Sequence, residues 1–281
     1  MAGTLLSLGH GYSASALTKL LLPQGWEVIG TTRSHEKVQA LRAEGVTALV
    51  MGEDDLTEAL GRATHLLVSA APGEGGDPFL ATHKDAIAKA ALQWVGYLST
   101  TGVYGDHGGA WVDETAPLTP ATKRGQMRVE AEAAWQAPGL PLHIFRLAGI
   151  YGPGRGPFAK VRNGTARRII KEGQIFSRIH VEDIAQVLAA SIAKPRPGAI
   201  YNVCDNDPAP PEDVIGHAAE LLGLPVPPAV RFEDAEMTPM ARSFYAESKR
   251  VRNDLIREEL GVSLLYPSYR DGLAALLEAE A

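Results

Sequence analysis

Gly9-His10-Gly11-Tyr12-Ser13-Ala14 reads G-x-G-x-x-A and lies between a short apolar run, Thr4 to Leu8, and a helical pattern. That setting suits a dinucleotide. Gly9 allows a tight turn, Gly11 lets a pyrophosphate approach the backbone, and Ala14 lets the helix pack close to the strand. Gly9, Gly11, Tyr12 and Ala14 are therefore cofactor-binding candidates. The next apolar run ends Gly30-Thr31-Thr32-Arg33-Ser34, where an NAD-preferring site usually carries an acid for the ribose hydroxyls. Arg33 instead offers a cation to a 2′-phosphate, so the expected cofactor is NADP, with NAD as the alternative. Ser69, Ala70 and Ala71, which end a later run, have the small side chains that a backbone needs to pass close to a cofactor.

Between Arg146 and Arg178 the chain carries eight basic residues and one acid, although its formal net charge is −6. Such a stretch suits phosphate or carboxylate recognition by bidentate hydrogen bonds. Arg155 and Arg168 are the substrate-binding candidates there, and the expected partner is a small anionic molecule. A solvated basic face, paired with acids such as Glu233, Asp234 and Glu236, is the alternative. The overall balance, 27 basic against 33 acidic residues, speaks against nucleic acid. Cys204 is the single cysteine, which excludes an intrachain disulfide and a multi-cysteine zinc site and fits a reducing, cytoplasmic setting. With no H-x-x-x-H or Cys/His cluster, no metal is expected. No uncharged run is long enough to span a membrane, and Met1 to Thr18 lacks the basic start of a signal peptide.

These residues need a scaffold, and the hydrophobic pattern supplies one. At 45% hydrophobic and 21% charged, the 281 residues can bury a core. Thr4 to Leu8, Glu27 to Thr31, Val46 to Val50, His65 to Ala70, Val95 to Thr100, Leu142 to Leu147 and Ala199 to Val203 read as buried strands. Helical patterns alternate with them: Ser15 to Leu22, His35 to Ala43, Leu56 to Leu60, Pro78 to Ala91, Gly125 to Trp135 and His180 to Ile192. Alternation of this kind predicts an α/β fold, a Rossmann-type doubly wound parallel sheet. The expected nucleotide-binding core spans 1–150, with 176–205 contributing, and 151–281 forms mostly a small C-terminal substrate-binding lobe. Within it, helices are expected from Pro208 to Pro211 onward as far as about Leu222, over Ser248 to Leu260 and over Ser268 to Ala279.

Several stretches resemble the extended short-chain dehydrogenase/reductase family of NAD(P)-dependent epimerases, dehydratases and reductases. They are Gly9 to Ala14, Ser99-Thr100-Thr101-Gly102-Val103-Tyr104-Gly105, Arg146 to Gly154, Arg178-Ile179-His180-Val181-Glu182-Asp183 and Ile200-Tyr201-Asn202-Val203. The resemblance covers essentially the whole chain. It implies a catalytic hydroxyl at Thr100 and, downstream, a Tyr-x-x-x-Lys pair in which Lys lowers the Tyr pKa and Tyr works as acid/base. Here Pro120, Gly125 and Glu132 match the pattern around that pair, which puts Arg124 at the Tyr position and Arg128 at the Lys position. An arginine does not give up its proton at working pH, so Arg124 is no general acid; it can polarise an oxyanion. Arg128 keeps a positive charge for the nicotinamide ribose. The resemblance thus narrows to atypical members, and is compatible with a homodimer paired through the helices around Arg128.

Other groups could replace the tyrosine. Tyr104 is the nearest in sequence and stands as a catalytic candidate beside Thr100 and Arg124. Lys123, His107 and Asp113 lie in the same loop region. His180 opens a helix and is taken as substrate-binding or structural. The readings that remain are an oxidoreductase or epimerase-like enzyme with a non-standard site, and a non-catalytic NADP-binding redox sensor.

Overall fold

The structure, a computed structural model, describes residues 2–280. Apolar runs become strands and amphipathic runs become helices in strict alternation through the first half. The order is β1 (Thr4–Leu8), α1 (Tyr12–Leu21), β2 (Glu27–Thr32), α2 (His35–Ala43), β3 (Thr47–Val50), α3 (Thr57–Arg62), β4 (His65–Val68), α4 (Leu80–Lys89) and β5 (Trp94–Thr100). After the short β6 (Trp111–Val112) come α5 (Lys123–Gln136) and β7 (Leu142–Leu147). The chain then runs through β8 (Gly149–Tyr151), α6 (Phe158–Arg162), β9 (Arg168–Ile170), β10 (Arg178–His180), α7 (Val181–Ala193) and β11 (Ile200–Val203). It ends with α8 (Pro211–Leu221), β12 (Ala229–Arg231), α9 (Pro239–Phe244), β13 (Arg250–Val251), α10 (Asp254–Glu258) and α11 (Tyr269–Glu278).

The central sheet is parallel and has seven strands in the order β11-β7-β5-β4-β1-β2-β3. Parallel strands buried on both faces demand near-continuous apolar sequence, and β4 and β7 are buried at every position. One face packs Leu17 and Leu21 of α1, Val38 and Leu41 of α2 and Ile184 and Leu188 of α7. The other packs Leu60 of α3, Ile87 of α4 and Ala131 and Trp135 of α5. The chain changes sides between β1 and β4, which opens a crevice at their carboxyl ends.

A separate cluster holds the lobe together: Tyr151, Phe158, Val161, Ala218, Tyr269 and Leu273. Two-stranded parallel ladders β8–β10, β9–β12 and β6–β13 frame it. The last ladder joins Trp111 and Val112, from the stretch expected to be core, to Arg250 and Val251. It also overturns the helix expected over Ser248 to Leu260. Ser248 N–H donates to the Asp106 carboxylate at 2.7 Å, Arg250 N–H to the Ala110 carbonyl at 2.9 Å and Val251 N–H to Ser177 Oγ at 3.2 Å. Arg252 N–H, which a helix would have turned back to the Ser248 carbonyl, donates instead to the Val112 carbonyl at 2.9 Å. The ladder thus holds this first turn extended, and only α10 remains helical.

Candidate active site and cofactor cradle

At the end of β1, Gly9 takes φ +78°, and a β-carbon there would stand 2.8 Å from that of Ala70. The β4 carboxyl end therefore runs against the glycine turn. Ser69 Oγ donates to the Gly9 carbonyl at 2.5 Å, and Gly9 N–H to Thr31 Oγ1 at 2.7 Å. Gly9, Ser69 and Ala70 thus meet at the switch point, with Ala71 exposed beyond them. Ala14 is fully buried under α1.

Gly11 differs. Its φ is −131°, ordinary for any residue, and a β-carbon would meet only the Gly9 carbonyl oxygen, at 3.7 Å. Nothing in the protein requires a glycine there, whereas a ligand lying on the backbone does. α1 has no side-chain cap and no acid in its first turn, and its first internal bond, Ser15 N–H to Gly11 carbonyl at 2.8 Å, leaves the opening N–H groups for an anion. The cradle fits a pyrophosphate. Past β2, Arg33 is exposed and makes no hydrogen bond or ion pair among the described residues.

Sequence reasoning missed His10. Its ring packs on Gly30, where a β-carbon would come within 2.8 Å of it. It is 6% exposed, both ring nitrogens lack partners among the described residues, and burial lowers its pKa. The signal available was Gly30 itself, a glycine inside a strand, which often marks a close approach.

Thr100 closes β5. Its Oγ1 accepts from Gly102 N–H at 3.1 Å and caps the 3-10 turn Thr101–Tyr104. Its own hydroxyl proton remains to be donated. α5 abuts this turn, and Thr122 caps it by accepting from Gly125 N–H at 3.1 Å. Arg128, one turn further, donates to the Leu98 carbonyl at 2.7 Å and to Tyr97 Oη at 3.0 Å. Arg124 is exposed, has no hydrogen bond or ion pair among the described residues, and lies 5.4 Å from the Phe244 ring centroid of α9.

Other candidates are placed elsewhere. Tyr104 is fully buried, and its hydroxyl donates to Asn202 Oδ1 at 2.7 Å and accepts from Arg146 at 2.9 Å. Burial pushes its pKa up to about 12, against the lowering effect of Arg146. Arg146 likewise leaves the basic stretch for the core, 3% exposed and paired with Glu132 at 2.8 Å. His180 is 1% exposed, caps α7 by accepting from Glu182 N–H, and packs between Tyr151 and Tyr266, so it presents no surface for substrate. His107 contacts the Tyr104 carbonyl, and Asp113 accepts from Thr115, which holds its carboxyl below the usual range. Arg168 lies in the lobe by α8, its Nε unpartnered among the described residues. Arg155 stacks 5.8 Å from the Tyr12 ring centroid, at the glycine turn rather than over Thr100.

A family of NAD(P)H-binding proteins matches residues 9–195, from the glycine turn through α7. The chain belongs to this NAD(P)H-binding family. Protein YeeZ of Escherichia coli is 30% identical over 92% of this chain and 95% of its own. The 3-diazoavenalumate denitrifying reductase of a Streptomyces species is 28% identical over 97% of this chain and 94% of its own. Among solved structures, a conserved protein of unknown function from Silicibacter pomeroyi is 63% identical, covers 100% of both chains and superposes with a TM-score of 0.95. As a member of the NAD(P)H-binding family, the chain has the α/β Rossmann-type fold and the dinucleotide cradle that its first turn displays. No helix among the described residues is long and apolar enough to cross a membrane, and no group of His, Cys, Asp and Glu among them could hold a metal.

Proposed function

We propose that the chain is an NADP(H)-dependent reductase of the epimerase/dehydratase type, acting on a small anionic metabolite with a site that lacks the usual tyrosine. With its diphosphate on the α1 cradle, the reduced cofactor would supply a hydride to the substrate's carbonyl carbon. The carbonyl π pair moves onto the oxygen, to which Thr100 donates a hydrogen bond and whose charge Arg124 stabilises with guanidinium N–H groups, and water supplies the proton that completes the alcohol. Arg128, held on the Leu98 carbonyl, gives the ribose a positive field. Arg33 reads the 2′-phosphate.

The observation that carries this reading is the unpaired guanidinium of Arg124 at the start of α5, beside the turn that Thr100 caps. The similarity to a reductase over 97% of the chain supports it. The test follows NADPH oxidation with a panel of anionic carbonyl compounds. Turnover that falls at least about tenfold in Arg124→Ala and in Thr100→Ala is expected. In the same protein, Arg33→Ala should weaken NADPH and leave NADH unchanged.

One observation favours the second reading, a redox sensor. Tyr104, the tyrosine that stands nearest in sequence to the Arg124 position, is sealed in the core. Tight NADPH binding with no oxidation by any compound would favour it over the reductase.

A further inference from the structure

Chain from beyond β8 returns to the glycine turn. Gly152 and Arg155 exchange two backbone hydrogen bonds, each 2.9 Å, which close a tight Gly-Pro-Gly-Arg loop. The loop is tied to the first residue of α1 at two points. Tyr12 Oη donates to the Pro153 carbonyl at 2.9 Å, and the Arg155 guanidinium lies 5.8 Å from the Tyr12 ring centroid. The basic stretch thus sends one of its arginines to the first residue of α1.

The placement is electrostatically one-sided. The start of α1 carries the positive end of the helix dipole, has unpartnered N–H groups and has no acid in its first turn. Arg155 adds a full positive charge beside it, exposed and with no hydrogen bond or ion pair among the described residues. The carboxylate whose charge acts on Tyr12 is Glu182, and one of its oxygens is occupied by the Tyr266 hydroxyl at 2.8 Å. A cation held against a helix N-terminus is unfavourable unless an anion lies between them. Gly11, where a β-carbon would meet only the Gly9 carbonyl oxygen at 3.7 Å, leaves room for one.

We infer that Arg155 is a pyrophosphate ligand of the dinucleotide, reaching it from outside the Rossmann half, and that Tyr12 is the positioning residue that holds its loop in place. Helix α1 presents N–H donors to one side of the diphosphate, and Arg155 presents its planar fork to the other. The inference depends on cofactor binding and not on the reductase chemistry. It also separates the roles of two arginines. Arg155 reads what NADH and NADPH share, whereas Arg33 reads what distinguishes them.

The test is a set of equilibrium titrations on the full chain by protein fluorescence, with NADPH, NADH, ADP-ribose and adenosine 2′-monophosphate. The last of these lacks the diphosphate. Arg155→Ala should weaken NADPH, NADH and ADP-ribose by a common factor, roughly tenfold, and leave adenosine 2′-monophosphate unchanged. Arg155→Lys should recover part of the loss, because a point charge replaces the fork. Tyr12→Phe should weaken the same three ligands by a smaller factor, about twofold to threefold, by freeing the Pro153 carbonyl. Ligand-free melting temperatures should match the parent for both Arg155 variants, since its side chain holds no internal bond. Unchanged NADPH and NADH affinities in Arg155→Ala would overturn the inference. So would equal weakening of adenosine 2′-monophosphate, which would mark a general field effect.

Discussion

Gly125 of α5 lies so near the turn after β5 that a β-carbon on it would stand 2.9 Å from the Gly102 carbonyl oxygen and 2.6 Å from Pro120 Cβ. That closeness sets where Arg124 and Arg128 stand relative to Thr100.

Gly125→Ala tests it. Alanine is the better helix former by about 1 kcal/mol. The atoms in its way are a backbone carbonyl and a proline ring carbon, which yield little, and overpacking of this kind costs about 1–3 kcal/mol. A lower melting temperature is expected, together with loss of the Arg128–Leu98 contact in a crystal structure of the variant. A melting temperature raised by the substitution would contradict the close approach.

The pair Arg146 and Glu132 makes a second prediction. Both are 3% exposed, and Ser99 Oγ also donates to Glu132 at 2.5 Å. Arg146→Met leaves a buried carboxylate without its cation and should cost about 3–5 kcal/mol in chemical denaturation. Adding Glu132→Leu removes the stranded charge, and the double variant should regain much of that loss.

Tyr104→Phe distinguishes a core tyrosine from a catalytic one. It removes a hydroxyl that Arg146 donates to and that itself donates to Asn202. Stability should fall by about 1–3 kcal/mol. NADPH affinity should stay within about twofold, and so should any turnover found. A loss of turnover at full stability would restore Tyr104 to the reaction.

Acid should withdraw one share of the fold's stability over a defined window. Burial lowers the His65 pKa from 6.5 to about 4, so the unfolded chain binds a proton near pH 6.5 that folded His65 refuses. The stability His65 contributes above about pH 6.5 is lost as the pH falls toward about 4. Buried Asp205, raised to about 8, titrates in the opposite sense across the same window, so the readout is the difference between the parent and His65→Gln. That difference in melting temperature should shift steadily as the pH falls through the window, and a constant difference would remove His65 from the account.

The parallel sheet was readable because buried strands leave continuous apolar runs, and β1 and β7 fall on the residues expected of them. The glycine turn was readable for a related reason, since local backbone demands select residue types locally. The helix expected over Ser248 to Leu260 failed where β6, distant in sequence, pairs with Arg250 and Val251 and takes the Arg252 N–H on the Val112 carbonyl. The basic stretch divides in the same way. Charge density along the chain does not say which arginine folds inward, as Arg146 does, and which reaches another site, as Arg155 does. His10 and Phe244 left no motif, because their roles exist only once Gly30 and Arg124 have been brought beside them.

The β6–β13 ladder bears on how such a protein can be recombined. Its strands, Trp111–Val112 and Arg250–Val251, come from distant parts of the chain. A genetic crossover anywhere between them parts the two strands, so the lobe cannot pass between relatives as one contiguous cassette. An exchange just after β5 behaves differently. Among the described residues it severs one ladder, β5–β7, and leaves β6–β13, β8–β10 and β9–β12 each inherited whole. Chimeras joined there should keep the recipient's C-terminal lobe while taking a donor's glycine turn and the segment that follows β2.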